Sequence, residues 1–205
     1  MLSGQGGHRA VMQNWRLLLG GCAGVLFISV FSVLGAISPA YDFTHRSISS
    51  LEFEPLGYVQ QINFVLFGLL QLVFAYAMRI ELKGGKGEVA IPAFQAICAG
   101  AVVGDGLFIH DPAHLTFDLI AFNSTMVVLL MFAWRFRGDP RWKGWSAYSV
   151  ASVLGMIVCL TAFGFANAHG GPSGLFERLA VLIRTTWSVV FVGRLVLGKV
   201  ATVLA

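Results

Sequence analysis

Apolar residues fall in six long blocks along the chain, at roughly 16–38, 58–80, 89–110, 115–136, 145–168 and 175–198. Each block reaches the ~20 residues that an α-helix needs to cross the hydrocarbon core of a bilayer. The interruptions are helix breakers: Pro39 after the first block, Gly84-Gly85-Lys86-Gly87 after the second, Asp111-Pro112 after the third, Gly138-Asp139-Pro140 after the fourth and Gly170-Gly171-Pro172 after the fifth. Apart from the first, all connections are short, so consecutive helices must run antiparallel. The pattern predicts an all-α fold, a six-transmembrane-helix antiparallel bundle forming one integral membrane domain over residues 1–205.

The first block follows Arg9 and Arg16 and ends near Gly35-Ala36-Ile37-Ser38, which invites comparison with a secretory signal. It is far longer than the 7–15 apolar residues of a signal peptide, so it is expected to stay as the first span. Most basic residues then fall on one side of a six-span arrangement: Arg9, Arg16, Arg79, Lys83, Lys86, Arg135, Arg137, Arg141, Lys143, Arg194 and Lys199. Only Arg46, Arg178 and Arg184 lie toward the other side. The positive-inside rule therefore places both termini in the cytoplasm and the chain in the cell (inner) membrane as a multi-pass protein. Asp42, His45, Glu52, Glu54, Asp105, His110, Asp111, His114, Asp118, His169 and Glu177 show the opposite bias, so the polar chemistry is expected to face outward.

Composition strengthens this reading. The 205 residues are 57% hydrophobic and only 12% charged, against about 45–50% apolar in soluble domains. A net charge of +4 does not point to a nucleic-acid partner, because the basic residues form short clusters between apolar runs and no nucleic-acid motif is present. The expected partners are membrane lipids, with a protein partner or a second copy as the alternative. Cys22, Cys98 and Cys159 lie inside apolar runs without paired spacing and read as small buried hydrophobes. Gly20 and Gly24, and Gly100 and Gly104, have the small-xxx-small spacing that lets helices approach closely in lipid.

Residues 104–118 concentrate the chemistry, with three carboxylates and two imidazoles between apolar flanks. Ionisable groups in that setting need a membrane surface, a wet cavity or a partner. His110 and His114 have the i, i+4 spacing of a two-imidazole clamp, and Asp118 extends the row, which makes these three the expected ligands of a divalent metal such as zinc. Pro112 stands between the histidines and breaks a helical register, so interfacial hydrogen bonding or proton transfer are the competing roles. Asp111 joins the candidate catalytic groups.

The longest connection, 39–54, mixes charge with aromatics and could fold over the bundle. Within it, Asp42 and His45 form a candidate acid–base pair, with a solvated loop histidine as the bland alternative. Ser49 precedes Glu52 by the spacing of a capping box, and is otherwise a ligand contact or nucleophile. Arg184 lies about 15 Å below Gly174 if the last helix begins there, deep enough to require a partner. Asp105 or Asp118 is the expected one. Arg46, Ser49, Asp105, Glu177, Arg178 and Arg184 make up the candidate ligand-binding set. Asn123, Thr161 and Asn167 could extend such a network.

Several stretches together resemble a known family. They are Arg46-Ser47-Ile48-Ser49-Ser50-Leu51, Asn63 with Phe67-Gly68, Asp111-Pro112, and Gly174-Leu175-Phe176-Glu177-Arg178-Leu179. In that order they resemble the bacterial and archaeal membrane family called domain of unknown function 998. The resemblance implies a similar number of spans and Ser, Asp, His and Glu-Arg elements at one membrane face, and no activity. A second similarity is to the intramembrane zinc hydrolases that include alkaline ceramidases, which use a Ser, an Asp and three His on seven spans. The functional expectation is an outward-facing polar pocket for a lipid head group or small amphiphile, with metal-assisted hydrolysis as one form of it. The alternative is a non-enzymatic subunit, chaperone or sensor whose buried charges hold the bundle together.

Overall fold

A computed structural model describes the backbone of residues 3–204 and the side chains of residues 14–198. Arg9 and Lys199, used above for orientation, lie outside the described side chains. The helices are α1 (Ser3–Ile37), α2 (Gly57–Glu81), α3 (Ala90–Leu107), α4 (Ala113–Arg135), α5 (Trp145–Ala168) and α6 (Ser173–Leu204), with short 3₁₀ turns at Ser49–Phe53 and Pro140–Trp142. No strand occurs among the described residues. Six stretches are long and apolar enough to cross a membrane: Asn14–Ile37, Gly57–Glu81, Ala90–Leu107, Ala113–Arg135, Trp145–Ala168 and Ser173–Gly198. The protein is a multi-pass helical membrane protein.

Helix ends follow local chemistry. Gly138 and Gly170 adopt φ of +84° and +69° in the connections, a conformation that costs glycine nothing because it has no Cβ. Asp139 accepts the Arg141 N–H at 3.0 Å and starts the second 3₁₀ turn. The largest departure from the apolar pattern is in the third block. α3 stops at Leu107 rather than near 110, and residues 108–112 form a turn closed by the Asp111 N–H to Phe108 O bond at 2.8 Å. Pro112 accounts for this, since its ring disfavours helix in the residue before it.

The helices touch in chain order, and α6 returns to pack on α1, so the six form a closed ring. Close approach of α1 to its neighbours depends on glycine. A Cβ added to Gly20 would lie 2.3 Å from Phe74 Cβ on α2, and one added to Gly24 would lie 2.4 Å from Thr185 Oγ1 on α6. The Gly100–Gly104 pair behaves differently. Gly104 meets the Phe117 ring of α4, whereas Gly100 faces open space, so that spacing does not mark a packing face.

The two halves of the ring interior differ. On the side where the chain termini lie, the C-terminal halves of α2, α4 and α6 and the N-terminal ends of α1, α3 and α5 meet around Phe132, Trp145, Trp187 and Phe191, all essentially buried. Their rings lie 4.6–5.8 Å apart, a range in which aromatic pairs contribute about 0.5–1.5 kcal/mol each beyond simple burial. This plug fills one half. The other half, on the side of the 38–56 loop, contains the buried acids.

Candidate functional site

The loop between α1 and α2 folds onto the bundle. Ile48 and Leu51 are wholly buried and serve as its apolar anchors, and the start of α6 supplies polar ties. Ser173 Oγ donates to His45 O at 2.7 Å, the Leu175 N–H donates to Thr44 O at 3.1 Å, and Glu177 Oε2 accepts the Ile48 N–H at 2.7 Å. The Arg178 guanidinium donates to Arg46 O at 3.0 Å and to the Tyr41 hydroxyl, and lies 4.7 Å above the Phe43 ring. Thus the Arg46–Leu51 stretch and the Glu177-Arg178 pair, far apart in the chain, form one joint. Burial pushes the Tyr41 phenol up, against the opposing pull of Arg178.

Beneath that joint is a cavity of about 30 Å³ lined by Asp105, Asp118, Glu177 and Arg184 among apolar side chains that include Phe67 and Phe122. α3 delivers Asp105 from its last turn, and α4 delivers His114 and Asp118 from its first two. Asp105 is only 2% exposed. The imidazole of His114 sits between the two aspartates, with Nδ1 3.5 Å from Asp105 Oδ1 and Nε2 3.5 Å from Asp118 Oδ2. One donor atom from each of Asp105, His114 and Asp118 lies within 4.8 Å of the other two. Asp105 Oδ1 and both His114 ring nitrogens are buried without a hydrogen-bond partner.

This arrangement revises the expected ligand set. His114 and Asp118 are together, but the His110–His114 pair does not form. The turn at 108–112 removes the helical register between them, and His110 is turned to the surface, with Nδ1 3.6 Å from Glu52 Oε1 and its ring against Phe53. Asp105 takes the place assigned to His110. Two other expectations change as well. Arg184 makes no ion pair with Asp105 or Asp118; its Nη2 donates to Cys98 Sγ at 3.3 Å and Gln71 Oε1 at 3.5 Å, and its guanidinium lies 4.9 Å above Phe67. Ser49 does not cap a helix with Glu52. Ile48 occupies the cap position without a side-chain bond, Ser49 Oγ is 3.2 Å from Ser47 Oγ, and Glu52 turns inward to His110.

Asp42, His45, Arg46 and Asp111 lie in the connections between helices, and Asn123 lies within α4. Asp42 Oδ1 accepts the Thr44 and His45 N–H groups, and Asp42 Oδ2 is 2.9 Å from His45 Nδ1. The Thr44 N–H, with His45, holds the Asp42 carboxyl below its ordinary range. Both side chains are more than half exposed, and the pair shapes the loop outside the buried cavity. Arg46 pairs with Glu54 at 2.6 Å. Asp111 Oδ1 accepts the Ala113 N–H at 2.8 Å and starts α4. Asn123 bonds back to Leu119 O at 2.7 Å.

Several polar residues inside the ring carry no motif signal. Gln71 donates to Gly20 O on α1 at 2.8 Å and accepts from Gln95 on α3 at 2.8 Å, which together with Arg184 ties four helices at one point. Asn63 donates to Phe27 O at 3.1 Å and Gln60 Oε1 at 3.3 Å. Cys98 is buried as expected, but its sulfur contacts Thr125 Oγ1 at 3.2 Å as well as Arg184. The available signal was a glutamine or asparagine within an otherwise apolar block, at 60, 63, 71 and 95.

The family described as protein of unknown function (DUF998) matches residues 21–194, from within α1 to within α6. The chain belongs to DUF998. The match takes in every residue of the cavity and of the loop joint above it, so in this DUF998 chain both belong to the region that defines the family. No curated protein and no solved structure matches it.

Proposed function

We propose that this DUF998 protein binds a membrane amphiphile, whose tail lies between α4 and α5 and whose polar group reaches the buried acids. One observation supports the reading above the others. A groove of about 440 Å³ runs between the loop-side halves of α4 and α5, with apolar walls that include Leu119, Phe122, Ile157 and Leu160, and it ends on Asp118 and Glu177. Both acids also line the inner cavity, so they stand between the groove and the polar chamber. Its volume lies in the ~300–1,000 Å³ range of small-molecule sites. Asn123 and Thr161 on its walls add hydrogen-bonding groups partway along. With Asp105, Asp118 and Glu177 facing one guanidinium, the chamber suits a polar group rich in N–H or O–H donors, or one bearing positive charge, better than a bare anion.

Gly164 gives a clean test. It lines the groove, and a Cβ added there meets nothing within 4 Å, so Gly164→Leu fills the groove without strain in the bundle. Lipid mass spectrometry of the purified protein is expected to find an amphiphile enriched over the surrounding membrane, and Gly164→Leu and Asp118→Asn are expected to reduce it. Absence of any enriched species, or retention unchanged in both variants, sinks the reading and leaves the buried acids with a purely structural part.

A further inference from the structure

We propose that Asp105, His114 and Asp118 form a binding site for one divalent cation of the zinc or manganese class. The proposal concerns the ion alone and stands whether or not an amphiphile enters the groove. Geometry comes first. The three donor atoms lie within 4.8 Å of one another, whereas donors sharing an ion tetrahedrally at bond lengths of about 2.0–2.2 Å lie roughly 3.3–3.6 Å apart. Rotation of the side chains that brings the donors about 1 Å closer closes the set. The cavity that Asp105 and Asp118 line, at about 30 Å³, has room for a species the size of a water molecule, which needs at least ~10–15 Å³ by the same measure.

A second line of argument is unmet bonding. Buried polar atoms in folded proteins are nearly always paired, yet Asp105 Oδ1, on a side chain almost wholly enclosed, has no hydrogen-bond donor, and neither ring nitrogen of His114 has a partner. Two nearby groups that could have supplied one are engaged elsewhere. Arg184 is directed at Cys98 and Gln71, and Glu177 is engaged by the Ile48 N–H.

Charge leads to the same conclusion. Asp105, Asp118 and Glu177 line one chamber with Arg184, where carboxylates beside lipid need compensation, and a divalent cation supplies it. The donor set selects the class of ion. Two carboxylates and an imidazole suit zinc or manganese, whereas calcium and magnesium favour all-oxygen sites and copper(I) favours sulfur. Three protein ligands also leave a coordination position for water.

The alternative is protons in place of a metal, with the imidazole shuttling between two aspartates, and titration distinguishes the two. Full-length protein in detergent, stripped with a chelator and dialysed, is titrated with zinc and separately with manganese, with bound metal read by elemental analysis and stability by thermal unfolding. The expected result is about one equivalent per chain and a raised Tm. Asp105→Asn and His114→Gln are expected to weaken binding by at least about tenfold, as loss of a ligand or its support does, while His110→Gln leaves it unchanged. If the wild-type protein takes up no stoichiometric metal, the proposal is wrong, and that arm holds even if a variant does not fold. Binding that survives in folded Asp105→Asn and His114→Gln, or is lost equally in His110→Gln, also overturns it.

Discussion

Glu52 lies on a 3₁₀ turn outside the spans, with Oε1 3.6 Å from His110 Nδ1 and Oε2 buried without a partner. Burial pushes its carboxyl above the ordinary value of 4.5, with His110 and His114 pulling the other way. A carboxyl whose pKa is raised on folding holds its proton more tightly in the native state. Its contribution to stability is therefore full below 4.5 and is lost as pH rises through the folded value. Glu52→Gln is expected to flatten the dependence of Tm on pH in that window, measured in detergent from acid to neutral pH. A Tm profile parallel to the wild type would show that the acid is solvated. The same residue illustrates where sequence reading runs out. Glu52 sits at a capping-box spacing from Ser49, but the cap does not form, because Ile48 and Leu51 bury themselves in the bundle and rotate the turn so that Glu52 faces His110. Spacing along the chain measures neighbours on a regular helix, and neither residues 49–53 nor 108–112 are one. For the same reason His114 and Asp118, both within α4, were found together from spacing, whereas Asp105 as their third member was not.

The six helices themselves were readable from the apolar blocks, with boundaries displaced mainly at 107–112, where proline and not hydropathy decides the end. Their packing faces were less readable. Gly20 and Gly100 occupy equivalent positions in two identical spacings, yet only Gly20 has another helix against it. Gly20→Ala forces a methyl group against Phe74 Cβ, which is part of a helix and has little freedom to move. The expected cost is about 1–3 kcal/mol, typical of overpacking. Gly100→Ala meets open space and should gain up to roughly 1 kcal/mol from helix propensity. Thermal unfolding of the two variants side by side checks this, and equal shifts would contradict the packing of α1 on α2. α5 is the most lipid-exposed of the six, with 28% of its apolar window buried against 56% in α3.

Across the whole molecule, one half of the ring is sealed by aromatic rings and the other holds acids beneath a stitched loop. Arg79, Arg135 and Arg194 lie on the plug side, with Arg135 donating to Leu82 O at 3.0 Å, and the positive-inside rule predicts that side to be cytoplasmic. A reporter fused after Ala205 should therefore read as cytoplasmic, and one inserted in the 39–54 loop as external. The opposite readout would invert the direction in which the acidic chamber opens.

Ring closure between α1 and α6 has a further consequence for how the protein is made. Arg184 and the Glu177-Arg178 joint are carried by α6, which is made after the five helices before it, and Gly24 on α1 has no Thr185 to meet until then. Until α6 inserts, the ties that hold the 39–54 loop over Asp105 and Asp118 are unmade. A chain truncated before residue 173 should accordingly be cleared by membrane quality control, however well its first five helices insert.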